Sequence, residues 1–446
     1  MLDLDKASLS GASITGADLS WVDLSGIDLS GADLSGASIR VADLSGANLR
    51  GANLSGANLR GADLSGVDLA FADLSGASLR YAQMPMADLR FANLAGVDLN
   101  EVDLNGANLT FADLSGADLV WANLTGANLL FAHLDVVNGH YVDMGKANLA
   151  FADLTGADLF FANLDEAVLS GANLSFAFMP WADLTGADLF GANLTLADLS
   201  SADLIGANLH GTSLVWTGLS AANLFGVDFS GADLTRTYLS NADMRGADLS
   251  GASVGLNLLG ADLRGADMRG ADLSGVDFSG AYLIMQGMTK AHLGGWNLGS
   301  WVDMRWLDSN GVDLSVVDLS RMHLIRASLN RADLNGANVF ETHLVGSNPF
   351  RVNLDGADLS GANLGYADFR GMDLSGMDLS GARLYHADLS GADLAGSDLT
   401  RADLTRADLT RTNLTGAIFG SAVFDGAVMC RDAYSPDYDG AIVVDC

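Results

Sequence analysis

Leucine recurs at every fifth position through most of this chain. In FADLSGADLVWANLTGANLLFAHL, residues 111–134, the leucines are Leu114, Leu119, Leu124, Leu129 and Leu134. An amphipathic helix repeats its apolar residues about every 3.6 positions, and a half-buried strand every second one. A period of five fits neither. It requires a chain that turns a corner every five residues and returns each leucine to a shared interior. With leucine as position i, residue i−2 is mostly Ala, i−1 mostly Asp or Asn, i+1 often Ser, Thr or Arg, and i+2 often Gly. Residues i−2 to i then form a very short strand pointing in, out, in, and i+1 and i+2 form the corner. Ala and Leu fill a core, while the Asp or Asn faces outward within reach of neighbouring backbone. One such strand cannot stand alone, so successive coils must pair their backbones with one another.

Tandem Ala-Asp/Asn-Leu-X-X, as in ADLSG at 72–76, ANLTG at 122–126 and ADLTG at 182–186, resembles the pentapeptide repeat family. The resemblance covers Leu2 to Met429, about 86 units. It implies an all-β fold, a right-handed quadrilateral parallel β-helix with four units per coil. About 21 coils stacked at roughly 4.8 Å would make a rod on the order of 100 Å long. A chain of 446 residues would ordinarily suggest two or three domains. A fixed short period with no Pro-rich or Gly/Ser-rich linker points to one array, residues 2–429. Residues 430–446, CRDAYSPDYDGAIVVDC, leave the repeat and carry Tyr434, Tyr438, Ile442, Val443 and Val444. They are expected to cap the last coil.

The spacing breaks twice. Val254 to Leu258 is one residue short and Leu298 to Met304 one long, which shifts residues 255–303 by one. Trp296, Trp301 and Trp306 follow one another at intervals of five around the second break. They read either as rings packed over a bulge or as a partner-binding bump. Gly139 and Pro349 stand where Leu belongs, and Phe178 where Asp or Asn belongs; all three read as local repair.

In a coil of four such units Phe71, Phe91, Phe111, Phe131 and Phe151 share one corner. Tyr81, Trp121, Tyr141, Phe161 and Trp181 share the opposite one. Glycine corners suit a type II turn, which needs positive φ at its third residue; aromatic corners are expected to adopt a different turn. The rings either stack to shield backbone or form an exposed apolar stripe for a partner.

Net charge is −32, which disfavours direct contact with nucleic acid and favours a basic protein surface. From Phe91 to Thr235 Lys146 is the one Lys or Arg, against 17 Asp and Glu, a balance of −16 that includes Asp103, Asp113, Asp118, Asp143, Asp153 and Asp158. Spread over the expected coils, that is one charge per roughly 2 Å, near the value for duplex DNA. The flanks are different: Arg40, Arg60 and Arg80 share one column, Arg50 and Arg90 another, and Arg321, Arg326 and Arg331, like Arg401, Arg406 and Arg411, ring one coil.

No phosphate-binding loop or metalloprotease motif is present, and the many carboxylates belong to the repeat. His323 and His343, aligned with Asp303 and Asn363, read as surface residues on a ladder, and DYDG at 437–440 lacks the rest of a calcium loop. No catalytic, cofactor or metal residue is assigned, and no enzyme is expected. Mean hydropathy is +0.24, yet no run of about 18 uncharged apolar residues suggests a membrane span. The opening MLDLDKASL lacks the features of a secretion signal. The expected compartment is the cytoplasm; Cys430 and Cys446 flank the final segment and are close enough in sequence to be linked, but in that compartment free thiols are expected. An array starting at Leu2 has an open strand edge that a homodimer would cover. Two function classes stand. One is a non-enzymatic scaffolding rod that binds a protein through its acidic, aromatic-striped surface. The other, implied by the resemblance, is a DNA-mimicking binder of DNA gyrase or another topoisomerase with a basic groove, protecting it from inhibitors.

Overall fold

In a computed structural model, the residues described are 8–253, 258, 260–263, 266, 354, 357–430 and the strand at 442–444. The chain forms two compact units, Met1–Tyr238 and Leu239–Cys446.

In the first unit the outward residue of each five pairs in parallel with its counterpart four repeats on. Ser8 pairs with Asp28, Ser13 with Asp33, Asp18 with Ser38 and Asp23 with Asp43, and the pattern continues to Gly218 with Tyr238. Four such pairings in every circuit of the chain define a four-sided parallel β-helix. The Leu29 N–H donates to the Asn48 carbonyl at 2.8 Å, and the Asn48 N–H donates back to the Ile27 carbonyl at 2.9 Å. At the corner the Ala32 N–H donates to the Leu29 carbonyl at 3.0 Å. Between them Gly31 has φ +63°, the positive value a type II turn requires. Its own N–H reaches the next coil, at Arg50 O, 2.9 Å away. Each corner is therefore fixed twice, by the turn and by the stack.

Leu and Ala fill the interior: Leu54, Ala52 and their counterparts along the unit are fully buried. Burying one Leu is worth roughly 1.5–3 kcal/mol, against about 1–2 kcal/mol of backbone entropy for each residue ordered. One five-residue unit is thus unstable by itself, and the stack is what folds. Outside, the Asp or Asn carboxylate or amide oxygen accepts the N–H two residues on, as Asp28 does from Ser30 at 3.1 Å. Asn also donates to an Asp one coil earlier, Asn123 to Asp103 at 3.0 Å and Asn163 to Asp143 at 3.0 Å. Alternating Asn with Asp separates carboxylates that would otherwise repel at one coil's spacing.

Aromatic corners do not adopt another turn. Phe71, Phe91, Phe111, Phe131 and Phe151 have φ between +55° and +62°, and Tyr81, Trp121, Tyr141, Phe161 and Trp181 between +54° and +64°. The expectation fails because the bonds between coils dictate φ. Each ring residue accepts a strain of about 1–3 kcal/mol, which ring stacking offsets.

Gly139 is filled locally. A Cβ there would lie 2.8 Å from Leu159 Cδ2 and 3.3 Å from Val142 Cγ1, so neighbours already occupy the space of the missing leucine. Phe178 stacks on Phe160, with ring centroids 6.2 Å apart.

In the second unit Asp243 pairs with Asp262, one position short of the usual interval, where the sequence spacing shortens; Leu258, Ala261 and Leu263 are buried in the altered register. From Asn363 paired with Arg383 to Asp403 paired with Val423 the four-repeat interval is restored. The unit ends in a small parallel sheet of three strands, β1 (Asp408–Leu409), β2 (Val428–Cys430) and β3 (Ile442–Val444). Val428 pairs with Ile442 and Cys430 with Val444, a return shorter than a full coil that lays β3 along the edge of β2. Cys430 is disulfide-bonded, and no free cysteine occurs among the described residues. The expectation of free thiols is overturned; the chain's other cysteine is Cys446. The second spacing break, Pro349, Trp296, Trp301, Trp306, His323, His343, Arg321, Arg326 and Arg331 lie outside the described residues.

Candidate protein-binding surface

The positive-φ corner points its side chain away from the core, so a ring repeated at the same corner of successive coils makes a ladder. Phe71, Phe91, Phe111, Phe131 and Phe151 stack with centroids 4.9, 5.0, 5.0 and 5.3 Å apart and planes within 15° of parallel. All five are exposed, by 41–56%. The ladder is closed at both ends. The Arg50 guanidinium lies 4.7 Å from the Phe71 centroid, a cation–π contact. At the other end the Phe151 ring leans over Gly171, where a Cβ would sit 2.6 Å from Cε1. Glycine stops the ladder there.

The opposite corner is less regular. Trp121, Tyr141, Phe161 and Trp181 stack at 4.3, 5.5 and 5.9 Å. Tyr81 is not part of this ladder, because Glu101 occupies the corner between it and Trp121. Tyr81 instead lies under the guanidinium groups of Arg60 and Arg80, at 5.1 and 4.9 Å, and Arg80 Nη2 reaches Glu101 Oε1 at 3.2 Å.

Around Phe161 the ladder widens into a patch that the repeat pattern alone does not reveal. Phe160 meets Phe161 edge-on at 4.6 Å and stacks on Phe178. Phe176, Phe178 and Trp181 are exposed along one side of one coil, FAFMPW at 176–181, which carries no charge. Leu196 and Trp216 extend the exposed apolar residues along the Phe176 corner. The signal in the sequence is the loss of Asp or Asn at Phe178, which the spacing alone reads as local repair; Val168, which also lacks it, lies on the opposite side of the coil. The patch has a polar margin: His140 Nε2 contacts Asp158 Oδ2 at 2.8 Å.

The six acidic residues singled out from sequence are not gathered on one flank. Asp113 and Asp153 lie in the column beside the Phe ladder. Asp103 and Asp143, and Asp118 and Asp158, lie in the two columns that border the Trp/Tyr ladder. Asn123 sits between the first of these pairs and Asn138 between the second, each donating to the Asp one coil earlier. The negative field therefore wraps several sides. Elsewhere in the first unit Asp23, Asp28 and Asp88 are held in their charged form by local donors. The Arg90 guanidinium lowers the pKa of Asp88, and the hydroxyl and amide of Ser25 and Ser30 do the same for Asp23 and Asp28.

Such a surface offers rings, carboxylates and shape. Among the described residues no helix is long and apolar enough to cross a membrane.

The family profile described as Pentapeptide repeats (8 copies) matches residues 3–31, 42–80, 86–119, 117–150, 147–189, 182–217, 219–254, 254–283, 310–348, 353–391 and 387–426. No curated protein matches the chain. Among solved structures it is similar to HetL, a pentapeptide repeat protein involved in heterocyst differentiation regulation from the cyanobacterium Nostoc sp. strain PCC 7120. That match has 30% identity over 64% of this chain and 91% of that one, with TM-score 0.18. Rfr23, a pentapeptide repeat protein from the cyanobacterium Cyanothece 51142, is 26% identical over 28% of this chain and 89% of that one, with TM-score 0.19. QnrB1, a plasmid-mediated fluoroquinolone resistance protein, is 14% identical over 61% of this chain and 91% of that one, with TM-score 0.25.

Proposed function

This chain belongs to the pentapeptide repeat family, whose fold is a right-handed quadrilateral β-helix, and from that premise we propose that it is a non-enzymatic scaffolding protein that binds another protein. Two surfaces on opposite corners of the coil are the candidates for binding, the Phe71–Phe151 ladder and the Trp121–Trp181 ladder with its patch. The observation that carries this reading is the nine ladder rings held at exposed positive-φ corners, where glycine would fit without strain. Exposed apolar surface of this extent, rimmed by charge, is the usual form of a contact site. The partner is expected to present a basic surface. The test is affinity capture from a lysate of the source organism with the intact chain, with Phe91, Phe111 and Phe131 changed to Ser, and with Asp→Asn changes in the acidic stretch. A partner retained by both variants refutes the reading.

The alternative, a gyrase or topoisomerase binder that imitates duplex DNA, is favoured by one observation, the balance of −16 over Phe91–Thr235. Supercoiling by purified gyrase that is untouched by micromolar protein at low salt excludes it. Cytoplasmic residence belongs to the same proposal. The Cys430 disulfide weighs against it, since such bonds persist in oxidising compartments, and thiol labelling in the cell decides.

A further inference from the structure

We propose that His133, Asp135 and Asp153 form a site for one divalent transition-metal ion beside the last rungs of the Phe ladder. His133 and Asp153 are backbone-paired on adjacent coils, two residues after Phe131 and Phe151. Asp135 follows His133 by two. One donor atom from each of the three lies within 4.8 Å of the others.

The unit AHLDV departs from the repeat at all three of its outward positions, His133, Asp135 and the corner Val136. Its column holds Asn93, Asp113 and Asn173 where this coil has His133, and Ser75, Ser115 and Thr155 where it has Asp135. The buried residues Ala132 and Leu134 are unchanged, so the core does not ask for either substitution.

Their partners also differ. Outward side chains on neighbouring coils are satisfied by protein groups. Asp153 Oδ1 accepts from Thr155 N at 3.1 Å, Thr155 Oγ1 at 2.5 Å and Asn173 Nδ2 at 3.2 Å, and Asp113 Oδ1 accepts from Ser115 N at 2.9 Å. His140 closes directly on a carboxylate. Among the described residues the His133 ring and the Asp135 carboxylate make no side-chain hydrogen bond or ion pair, although they converge with Asp153. Asp153 Oδ2 takes part in none of the hydrogen bonds that Oδ1 accepts. An ion with bonds of about 2.0–2.2 Å holds its ligand atoms roughly 3–4 Å apart, which a small rotation of these partly exposed side chains reaches.

The donor set selects the ion. One imidazole nitrogen with two carboxylate oxygens suits Zn²⁺ and its first-row neighbours, whereas Mg²⁺ and Ca²⁺ require oxygen throughout. Water would complete the coordination. Two carboxylates neutralise the dication, and the ion relieves repulsion in the most acidic stretch of the chain.

The experiment is calorimetric titration of the full chain with zinc chloride, in excess magnesium to saturate the diffuse acidic surface. His133→Asn and Asp135→Ser serve as variants, because Asn and Ser occur in the same columns of the intact fold. One Zn²⁺ per chain is expected, with affinity at least about tenfold weaker in each variant and with the His133 ring resonances shifting on zinc addition. Zinc binding abolished by magnesium, or unchanged in either variant, would make it counterion condensation and overturn the site.

Discussion

The corners at Phe71, Phe91, Phe111, Phe131 and Phe151 and the corners at Arg401, Arg406 and Arg411 share a backbone and little else. φ lies between +55° and +62° in the first set and between +58° and +63° in the second. Phe91 N–H donates to Thr110 O at 3.1 Å, and Arg406 N–H donates to Asp425 O at 2.8 Å, each reaching one coil on. The phenylalanines recur once per coil, so they fall in one column and stack. The arginines recur at every repeat, so they fan out over three corners of one coil. The corner is thus a display position: the scaffold sets φ, and the interval at which a side chain recurs decides whether it builds a stripe or a belt.

If the scaffold is the same in both regions, core truncation should cost the same in each. Leu114→Ala and Leu394→Ala each remove a fully buried side chain, and both should lose about 2–5 kcal/mol in chemical denaturation. Clearly unequal losses would break the equivalence. A smaller effect separates strain from contact. Gly191 has φ +63° and open space around it, so Gly191→Ala should cost about 1 kcal/mol. Gly171→Ala should cost about 2–3 kcal/mol, because the new Cβ meets the Phe151 ring. Adding Phe151→Ala should return that cost to the Gly191 level in a double-mutant cycle. Phe111→Gly should leave stability within about 1 kcal/mol, since two ring stacks of about 0.5–1.5 kcal/mol are lost and the corner strain is released. Arg406→Gly gives up no stack and should stabilise by up to about 1 kcal/mol in the same measurement.

The smallest difference expected between the regions is in acid. Ser and Thr hydroxyls, then backbone amides, hold Asp23 and Asp28 in the first unit and Asp373 and Asp398 in the second below the ordinary 3.8. A carboxyl group lowered on folding contributes stability above its unfolded value and loses it as pH falls through its folded value. Melts followed by circular dichroism from about pH 5 to about pH 2 should show both regions weakening only at the acidic end. Ser25→Ala should raise the Asp23 titration midpoint observed by NMR. A stability loss starting near neutral pH would contradict this picture.

The leucines and alanines make the fold legible because a period of five admits one way of burying them, and the four-repeat coil follows from where the rings and glycines fall. The aromatic corners were misjudged for a definite reason. A turn rule built on glycine treats φ as a choice made by the residue, whereas at Phe111 the bond from its N–H to Leu130 O makes the choice. The distribution of the acidic residues around the coil is harder to read. Charge counted along the chain says nothing of which side each carboxylate faces, and Asp103, Asp113 and Asp118 fall on three different sides. The apolar side at 176–181 was visible residue by residue, yet only stacking brings Phe160 onto Phe178. The Cys430 bond depended on compartment, which no spacing encodes.

The four-sided coil has a consequence for how such a gene can change. Deleting the codons of four consecutive repeats shortens the column of leucines by one storey and leaves every remaining ring above its old neighbour. Deleting a single repeat keeps the interior equally sound, but swings everything downstream by a quarter revolution. Placed between Phe91 and Phe111, that deletion would end the phenylalanine stripe on one edge and restart it on the next.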